Sequence, residues 1–152
     1  MTGSEIPGTQ TPIVSPTRHV AAYVAAWNSH DGAAVVASLA PGATYVDPLL
    51  PGPVSGEGLA SYVAALAAAV PDLTFLEEET IVEADRVALA WLVTGSYTGS
   101  ALPGLPGPTG AACQLHGVDL IDVGPEGIRS VVGHFDQLAM LRQLGVDVQI
   151  PG

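Results

Sequence analysis

The amino-acid sequence predicts an α+β fold, in which a cone-shaped, curved antiparallel sheet wraps around three N-terminal helices and a short helix ends the chain. Two patterns predict this class: apolar residues recur at helical spacing in the first part of the chain, and they follow strand spacing after Pro71. The composition adds a third observation, since 48% of the residues are hydrophobic and only 12% are charged. Such a balance is typical of a well-filled core, a lined cavity or a buried subunit interface.

The first helix is predicted over residues 17–28, where Val20, Tyr23 and Trp27 recur at helical spacing. Tyr23 and Trp27 are four residues apart, so both side chains project from one face, which must look into the core or a pocket. Three further elements are predicted before residue 71: a helix over 32–39, a strand over 43–47 that a proline stops, and an alanine-rich helix over 58–70.

Four strands and a last helix are predicted in the second part of the chain. Turn signals separate the strands: Ala-Asp, a segment rich in proline and glycine over residues 99–109, and Gly-Pro-Glu-Gly. The predicted strands cover residues 73–82, 87–93, 115–123 and 128–132, and the helix covers residues 137–144. The segment 99–109 must be a loop, and it acts either as a lid or as a plain connector.

Composition also limits the classes of partner. The 152 residues are expected to form a flexible leader over 1–16 and one domain over 17–152. The net charge of −11 argues against nucleic acid and anionic membranes, and no segment is long and apolar enough to span a membrane. The single cysteine, Cys113, has no partner for a disulfide or a zinc site. We therefore expect a cytoplasmic protein that uses neither a metal nor a cofactor.

Three polar residues stand in segments that the hydrophobic pattern would bury: Tyr23, Asp47 and Asp119. Strand alternation places Asp119 on the same face as aliphatic residues such as Leu115 and Ile121. A buried carboxyl is costly, so these groups either satisfy local hydrogen bonds or work as acid and base. The plainer readings are a strand-end role for Asp47, a structural hydrogen bond for Asp119 and a core position for Tyr23.

The order of these residues resembles a known pattern. It consists of Tyr23 in the first helix, Asp47-Pro48 at a strand end, Ser55-Gly56 in a turn and Asp119 in a later strand. This order of residues resembles the pattern of the ketosteroid isomerases. The Gly-Leu-Pro-Gly-Pro-Thr-Gly segment at 104–110, Phe-Asp at 135–136 and Leu-Arg-Gln-Leu-Gly at 141–145 are similar to the SnoaL-like polyketide cyclases. Both groups belong to the nuclear-transport-factor-two-like superfamily, of which the chain is identified as a member.

The resemblance implies catalytic roles for the three residues. Asp47 would be the general base, while Tyr23 and a protonated Asp119 would donate hydrogen bonds to a developing oxyanion. Desolvation and a neighbouring carboxylate both raise the pKa of a carboxyl group, so an apolar cone suits such a pair. The aromatic polyketide cyclases also resemble one another in carrying an essential aspartate on the last strand, and this chain has Gly133 there.

The residues expected to line the cone indicate the substrate class. They offer bulk and apolarity with scarcely a cation in reach, so we expect a large, neutral, apolar small-molecule substrate such as a polyketide, polyene or terpenoid. The predicted lining residues are Trp27, Phe75, Trp91, Leu115, Ile121, Phe135 and Met140.

Three functions remain open on the sequence. The first is a polyketide cyclase of natural-product or antibiotic biosynthesis, which acts on a free substrate or on one held by a polyketide synthase carrier. The second is a double-bond isomerase of the ketosteroid type, and the third is a noncatalytic binding domain. Val118 and Leu120 lie on the face opposite Asp119, so a homodimer through the outer face of the sheet is expected.

Overall fold

The computed structural model describes residues 15–149 and residue 151. Among them it contains α1 (Pro16–Asn28), α2 (Gly32–Ala37), β1 (Thr44–Val46), α3 (Gly56–Ala69), β2 (Thr74–Glu83), β3 (Arg86–Ser96), β4 (Ala112–Gly124), β5 (Gly127–Phe135) and α4 (Gln137–Gln143). The predicted α+β class is confirmed, and the predicted elements end within a few residues of these bounds. Most of the expected leader, residues 1–14, lies outside the described residues. No described helix is long and apolar enough to cross a membrane.

The five strands form one sheet in the order β1-β5-β4-β3-β2. Strands β2 to β5 are antiparallel neighbours, whereas β1 pairs with β5 in the parallel direction. The β2–β3 and β4–β5 connections are tight turns that require antiparallel pairing, while the longer segment 97–111 joins β3 to β4. This parallel pair departs from the expected all-antiparallel sheet. The segment between β1 and β5 covers residues 47–126, so no hairpin between the two strands fixes the direction of β1.

Two irregularities help the sheet to curve. The register shifts between Glu77 and Glu79 in β2 and between Asp122 and Val123 in β4. Bulges of this kind bend a strand and increase its twist. The sheet therefore curves around the helices without closing into a barrel.

Local capping fixes the ends of two short helices. The Asp31 side chain accepts a hydrogen bond from the Ala33 amide at 2.9 Å and starts α2, and Asp136 accepts one from the Ala139 amide at 2.9 Å and starts α4. Since α4 follows directly on β5, this cap starts the last helix where it packs against β4.

Candidate active site

A cavity of about 110 Å³ lies between the concave face of the sheet and the helices, and it is partly open to solvent. Its wall is almost entirely apolar and aromatic. The lining residues are Trp27, Tyr45, Asp47, Leu49, Tyr62, Leu66, Val70, Leu73, Phe75, Trp91, Val93, Gly95, Tyr97, Leu102, Cys113, Leu115, Asp119, Phe135, Met140 and Leu144.

Asp119 is held at the cavity wall by two hydrogen bonds from opposite sides. The Tyr23 hydroxyl donates to Oδ2 at 2.8 Å, and the Trp91 indole N–H donates to Oδ1 at 2.9 Å. The residue is only 2% exposed. Because both oxygens accept, the carboxyl group is arranged as an anion rather than as a hydrogen-bond donor.

The close approach of Trp91 to Asp119 depends on a glycine. Gly117 is the β4 partner of Trp91, and a Cβ built on it would lie 2.3 Å from Cζ2 of the indole ring. Without a side chain at this position, the indole lies across β4 and its N–H reaches the aspartate two residues further along the strand. The contact between Trp91 and Asp119 therefore depends on three residues of two neighbouring strands.

Burial raises the pKa of Asp119 from 3.8 to about 6. The hydrogen bonds from Trp91 and Tyr23 oppose this rise, the charge of Asp47 adds to it, and His134 has a small opposing effect. A carboxyl group with this pKa is ionised at neutral pH and is a stronger base than an exposed aspartate. This combination suits proton transfer near neutral pH.

Asp47 carries three hydrogen bonds at the end of β1. Its Oδ2 accepts the hydroxyl of Tyr45 at 2.8 Å and the hydroxyl of Tyr62 at 2.6 Å, and its Oδ1 accepts the Leu49 amide at 2.8 Å. Asp47 is 7% exposed. Like Asp119, it is placed as an acceptor, with two tyrosine hydroxyls directed onto one oxygen.

All three tyrosines that hold the carboxylates are kept protonated. Burial raises the pKa of Tyr23, Tyr45 and Tyr62 above the usual value of 10, and the nearby aspartates raise each further. These side chains therefore remain hydrogen-bond donors over the whole physiological pH range. Their protons are available to oxygen atoms but are not given up to solvent.

The two aspartates are brought together over Gly133 of β5. A Cβ on this residue would lie 3.0 Å from Asp119 Oδ1 and 3.3 Å from Asp47 Cβ. Gly133 is the β4–β5 partner of Asp119 in the sheet register. The missing side chain therefore leaves the space in which the carboxyl group of Asp119 lies beside Asp47.

The indole N–H of Trp27 is a buried donor without a hydrogen bond of acceptable geometry among the described residues. It nevertheless lies close enough to the Tyr23 hydroxyl to offset part of the rise in that group's pKa.

Most of the predicted site residues meet at this cavity, and two do not. Asp47, Asp119 and six of the seven predicted lining residues contact it; the exception is Ile121. Ile121 pairs with Val87 and Val131 and is fully buried among them, two residues beyond Asp119. Tyr23 is also fully buried, and its hydroxyl hydrogen is directed onto Asp119 rather than into the cavity.

The sequence interpretation did not include Tyr45 and Tyr62, although both donate to Asp47. Tyr45 stands two residues before Asp47, so strand alternation places the two on one face. Tyr62 is the only aromatic residue of α3. An isolated tyrosine in an alanine-rich helix was the available signal for Tyr62, but only the fold shows that it meets the end of β1.

No group of three or more histidine, cysteine, aspartate or glutamate side chains that could hold a metal ion occurs in the described part of the chain. Cys113 lines the cavity as a single thiol, and partial burial raises its pKa. The polar groups at the cavity wall include the carboxylates of Asp47 and Asp119, the hydroxyls of three tyrosines and the indole N–H groups of two tryptophans.

Solved structures with the same fold come from several bacteria. AclR from Streptomyces galilaeus, a proposed hydroxylase, is 24% identical, with a TM-score of 0.72 over 90% of this chain and 87% of that one. IdmH from Streptomyces antibioticus, a proposed polyketide cyclase, is 23% identical, with a TM-score of 0.73 over 88% of this chain and all of that one.

A protein from Catenulispora acidiphila with a ketosteroid isomerase-like fold, solved in complex with trimethylamine, is 20% identical, with a TM-score of 0.72 over 90% of this chain and 100% of that one. At these identities the likeness shows the fold alone. No curated protein matches the chain. The family model for SnoaL-like polyketide cyclases matches residues 17–144. Because this match spans most of the sequence and agrees with the fold, the chain belongs to the SnoaL-like polyketide cyclase family.

Proposed function

We propose that this protein is a cofactor-independent enzyme that closes a ring on a largely apolar polyketide intermediate in natural-product or antibiotic biosynthesis. In this proposal Asp119 accepts a proton from the substrate, and Tyr62 donates a hydrogen bond to the oxygen that gains negative charge. The observation that supports it most is that Asp119 and the Tyr62–Asp47 pair line the same aromatic cavity.

Gly133 supports the choice of Asp119 as the base. The resemblance to aromatic polyketide cyclases implies an essential aspartate on the last strand, where this chain has a glycine. The Asp119 carboxylate lies 3.0 Å from where the Cβ of a residue at 133 would stand. We infer that Asp119 supplies, from the neighbouring strand, the carboxyl group that position 133 lacks.

The proposed reaction balances without an oxidant or reductant. Asp119 removes a proton from a carbon next to a carbonyl group, and the electron pair left behind forms a bond to a second carbonyl carbon of the same molecule. The π electrons of that carbonyl move to its oxygen, which then takes the proton back from Asp119. Apolar walls that hold the two reacting carbons together contribute by lowering the entropy cost of ring closure.

Tyr62 is suited to the second role because Asp47 can release it. If the Tyr62 hydroxyl turned to a substrate oxygen, Asp47 would keep the hydrogen bonds from Tyr45 and the Leu49 amide. Tyr62 also lines the cavity, and its raised pKa keeps its proton in place. Asp47 then serves to position the tyrosines, instead of acting as the base that the family resemblance implies.

The size of the cavity indicates that its mouth must open. At about 110 Å³ it is smaller than the roughly 300–1,000 Å³ typical of pockets for drug-sized ligands. The loop after β3 covers it with Leu102, and the Tyr97 hydroxyl holds this loop by donating to the Pro106 carbonyl and accepting the Leu102 amide. We propose that the loop is a lid that moves to admit substrate.

We also propose a homodimer through the outer face of the sheet. The register places Ile81, Ala88, Leu120 and Val132 side by side across four strands. Ile81 is 60% exposed and Leu120 41% exposed, so the row forms an apolar stripe open to solvent. Sedimentation at micromolar concentration tests this: we expect the wild type to sediment as a dimer and Leu120→Glu to sediment more slowly, as a monomer. A monomeric wild type, or a Leu120→Glu variant that remains a dimer, would argue against this interface.

A model substrate tests the catalytic proposal. A linear poly-β-ketone carried as its N-acetylcysteamine thioester is followed by ultraviolet absorbance and mass spectrometry for ring formation. We expect Asp119→Asn to lower kcat/KM by about 100-fold or more, the usual contribution of a general base. A steroid enone assay runs in parallel, and fast isomerisation without ring closure would replace the cyclase by the isomerase function.

A double variant distinguishes a lost base from a damaged site. Asp119→Ala removes the carboxyl group, and adding Gly133→Asp returns one to nearly the same space from β5. We expect the double variant to recover part of the activity that Asp119→Ala loses, whereas Gly133→Asp alone should not. Full activity of Asp119→Asn would reject the proposal.

A further inference from the structure

The cavity holds two carboxylates and no basic side chain. In the part of the chain that the structure describes, Asp47 and Asp119 are the only carboxylate side chains that line the cavity, and no arginine, lysine or histidine lines it. The chain contains no lysine, and its four arginines are all exposed. His134, which slightly lowers the pKa of Asp119, has an exposed side chain. Among residues 15–149 the negative charge of the cavity thus has no cationic partner at its wall.

The hydrogen bonds around these carboxyl groups are those of two anions. Asp119 accepts at both oxygens, and Asp47 accepts two hydroxyls and one amide. In this arrangement every neighbouring group donates and every carboxyl oxygen accepts, which is the pattern of an ionised carboxylate. Neutral donors stabilise the charges in part, but a cation in the cavity would stabilise them further.

A continuous series of aromatic rings adjoins the two carboxylates. Neighbouring ring centroids are 5.5–6.3 Å apart along the series. The rings, all of which line the cavity, are Tyr62, Tyr45, Trp27, Phe75, Trp91 and Phe135. Aromatic rings attract cations, and cages of such rings with an acidic residue suit quaternary and tertiary ammonium groups, which are apolar and charged at once.

We propose that the cavity selects a ligand that carries a tertiary or quaternary ammonium group, held between the aromatic series and the carboxylates of Asp47 and Asp119. This differs from the neutral ligand that the sequence favours. The inference rests on the cavity of the proposed function and names the charge of its substrate, but it concerns binding and needs no turnover.

Two small probes of nearly equal shape test the proposal. Phenyltrimethylammonium and tert-butylbenzene differ in one atom, nitrogen against carbon, and therefore in one positive charge. Both tryptophans of the chain, Trp27 and Trp91, line the cavity, so quenching of the intrinsic fluorescence reports entry of either probe. We expect the ammonium probe to bind the wild-type protein about tenfold more tightly or better.

Three variants locate the charge that causes this preference. Asp119→Asn and Asp47→Asn each remove one cavity charge, and each should reduce the preference several-fold. Glu79→Gln removes a charge of the same sign from an exposed position in β2 and should leave the preference unchanged. Circular dichroism verifies that each variant is folded, and the comparison in the wild type needs no variant at all.

The outcomes separate this inference from the proposed function. Equal or tighter binding of tert-butylbenzene, or no fluorescence change with either probe up to its solubility limit, overturns the inference. The inference is also overturned if the preference for the ammonium probe is unchanged in both Asp119→Asn and Asp47→Asn. It is overturned as well if Glu79→Gln reduces the preference as much as they do, because the effect would then come from the general negative charge of the surface. Ring closure by Asp119 without an ammonium preference would leave the proposed function intact, and the reverse result would leave only the inference.

Discussion

The stability of the protein should depend on pH through Asp119, and the Asp119→Asn variant should remove this dependence. The aspartate is 2% exposed, and burial raises its pKa from 3.8 in a free chain to about 6 in the folded protein. Between these values the folded protein keeps a proton that the unfolded chain has released. The asparagine variant has no such group but keeps a side chain of the same shape.

The sign and size of the effect follow from this difference. Because the folded state binds the proton more tightly, the contribution of Asp119 to stability is complete below about pH 4 and is lost as the pH rises through about 6. The rise in pKa from 3.8 to about 6 corresponds to about 3 kcal/mol of unfolding free energy. Little discount for solvent screening is needed, since the group is buried.

Urea denaturation measures the effect. Unfolding is followed by tryptophan fluorescence for the wild type and Asp119→Asn at one protein concentration and at several pH values between about 4 and 8. The other acidic residues are common to both proteins, so the difference between the two free energies isolates Asp119. We expect the free energy of the wild type, relative to the variant, to fall by about 3 kcal/mol from the acid end to neutral pH.

A difference that is flat across this range would show that Asp119 titrates alike in the folded and unfolded states. A wild type that gains stability over the variant as the pH rises would show that the hydrogen bonds from Tyr23 and Trp91 outweigh burial. Either result would refute the view that desolvation controls this carboxyl group, and the second would also weaken its role as a base near neutral pH.

Three further predictions concern the surroundings of the two aspartates. Tyr62→Phe removes one of the two hydroxyls on Asp47, so turnover of the model substrate should fall about tenfold or more, while stability falls by only about 1 kcal/mol. Gly117→Ala places a methyl group 2.3 Å from the Trp91 ring, and urea denaturation should show a loss of about 1–3 kcal/mol. Tyr97→Phe removes the two hydrogen bonds that the Tyr97 hydroxyl makes with the proposed lid, so binding of a bulky apolar ligand should become faster in stopped-flow fluorescence.

The chain offers a matched control for the second of these predictions. Gly107 lies in the loop over residues 99–109, and nothing lies within 4 Å of where its Cβ would stand, so Gly107→Ala should be nearly neutral in stability. Equal losses for Gly107→Ala and Gly117→Ala would mean that the indole of Trp91 yields easily. The tight packing argument for the Asp119 site would then be wrong.

The order and type of the elements could be predicted because each is a local pattern. The helical spacing of Val20, Tyr23 and Trp27 and the alternation around Asp119 do not depend on distant residues. The parallel pairing of β1 with β5 could not be predicted in this way. It depends on where a three-residue strand meets the far end of the chain, and nothing local marks that meeting.

The candidate site shows the same division. The positions of Asp47 and Asp119 at one cavity were predicted from their apolar surroundings and from the family resemblance. The roles proposed for them change because hydrogen-bond direction is a property of three-dimensional neighbours: Tyr23 is directed onto Asp119, and Tyr62 onto Asp47. Which group donates to which follows from the packing of helices on the sheet, and no spacing along the chain encodes it.

The proposed replacement of a carboxyl group at position 133 by Asp119 has a consequence for how acidic residues are compared between members of this fold. Adjacent antiparallel strands present paired residues to the same point in space, so an acid can pass from one strand to the next while the hollow around it keeps its shape. A comparison that looks for the acid in a single alignment column would then count such proteins as inactive. Pairs of facing positions, such as 119 and 133, are the unit in which acid-bearing and acid-free members of this fold should be told apart.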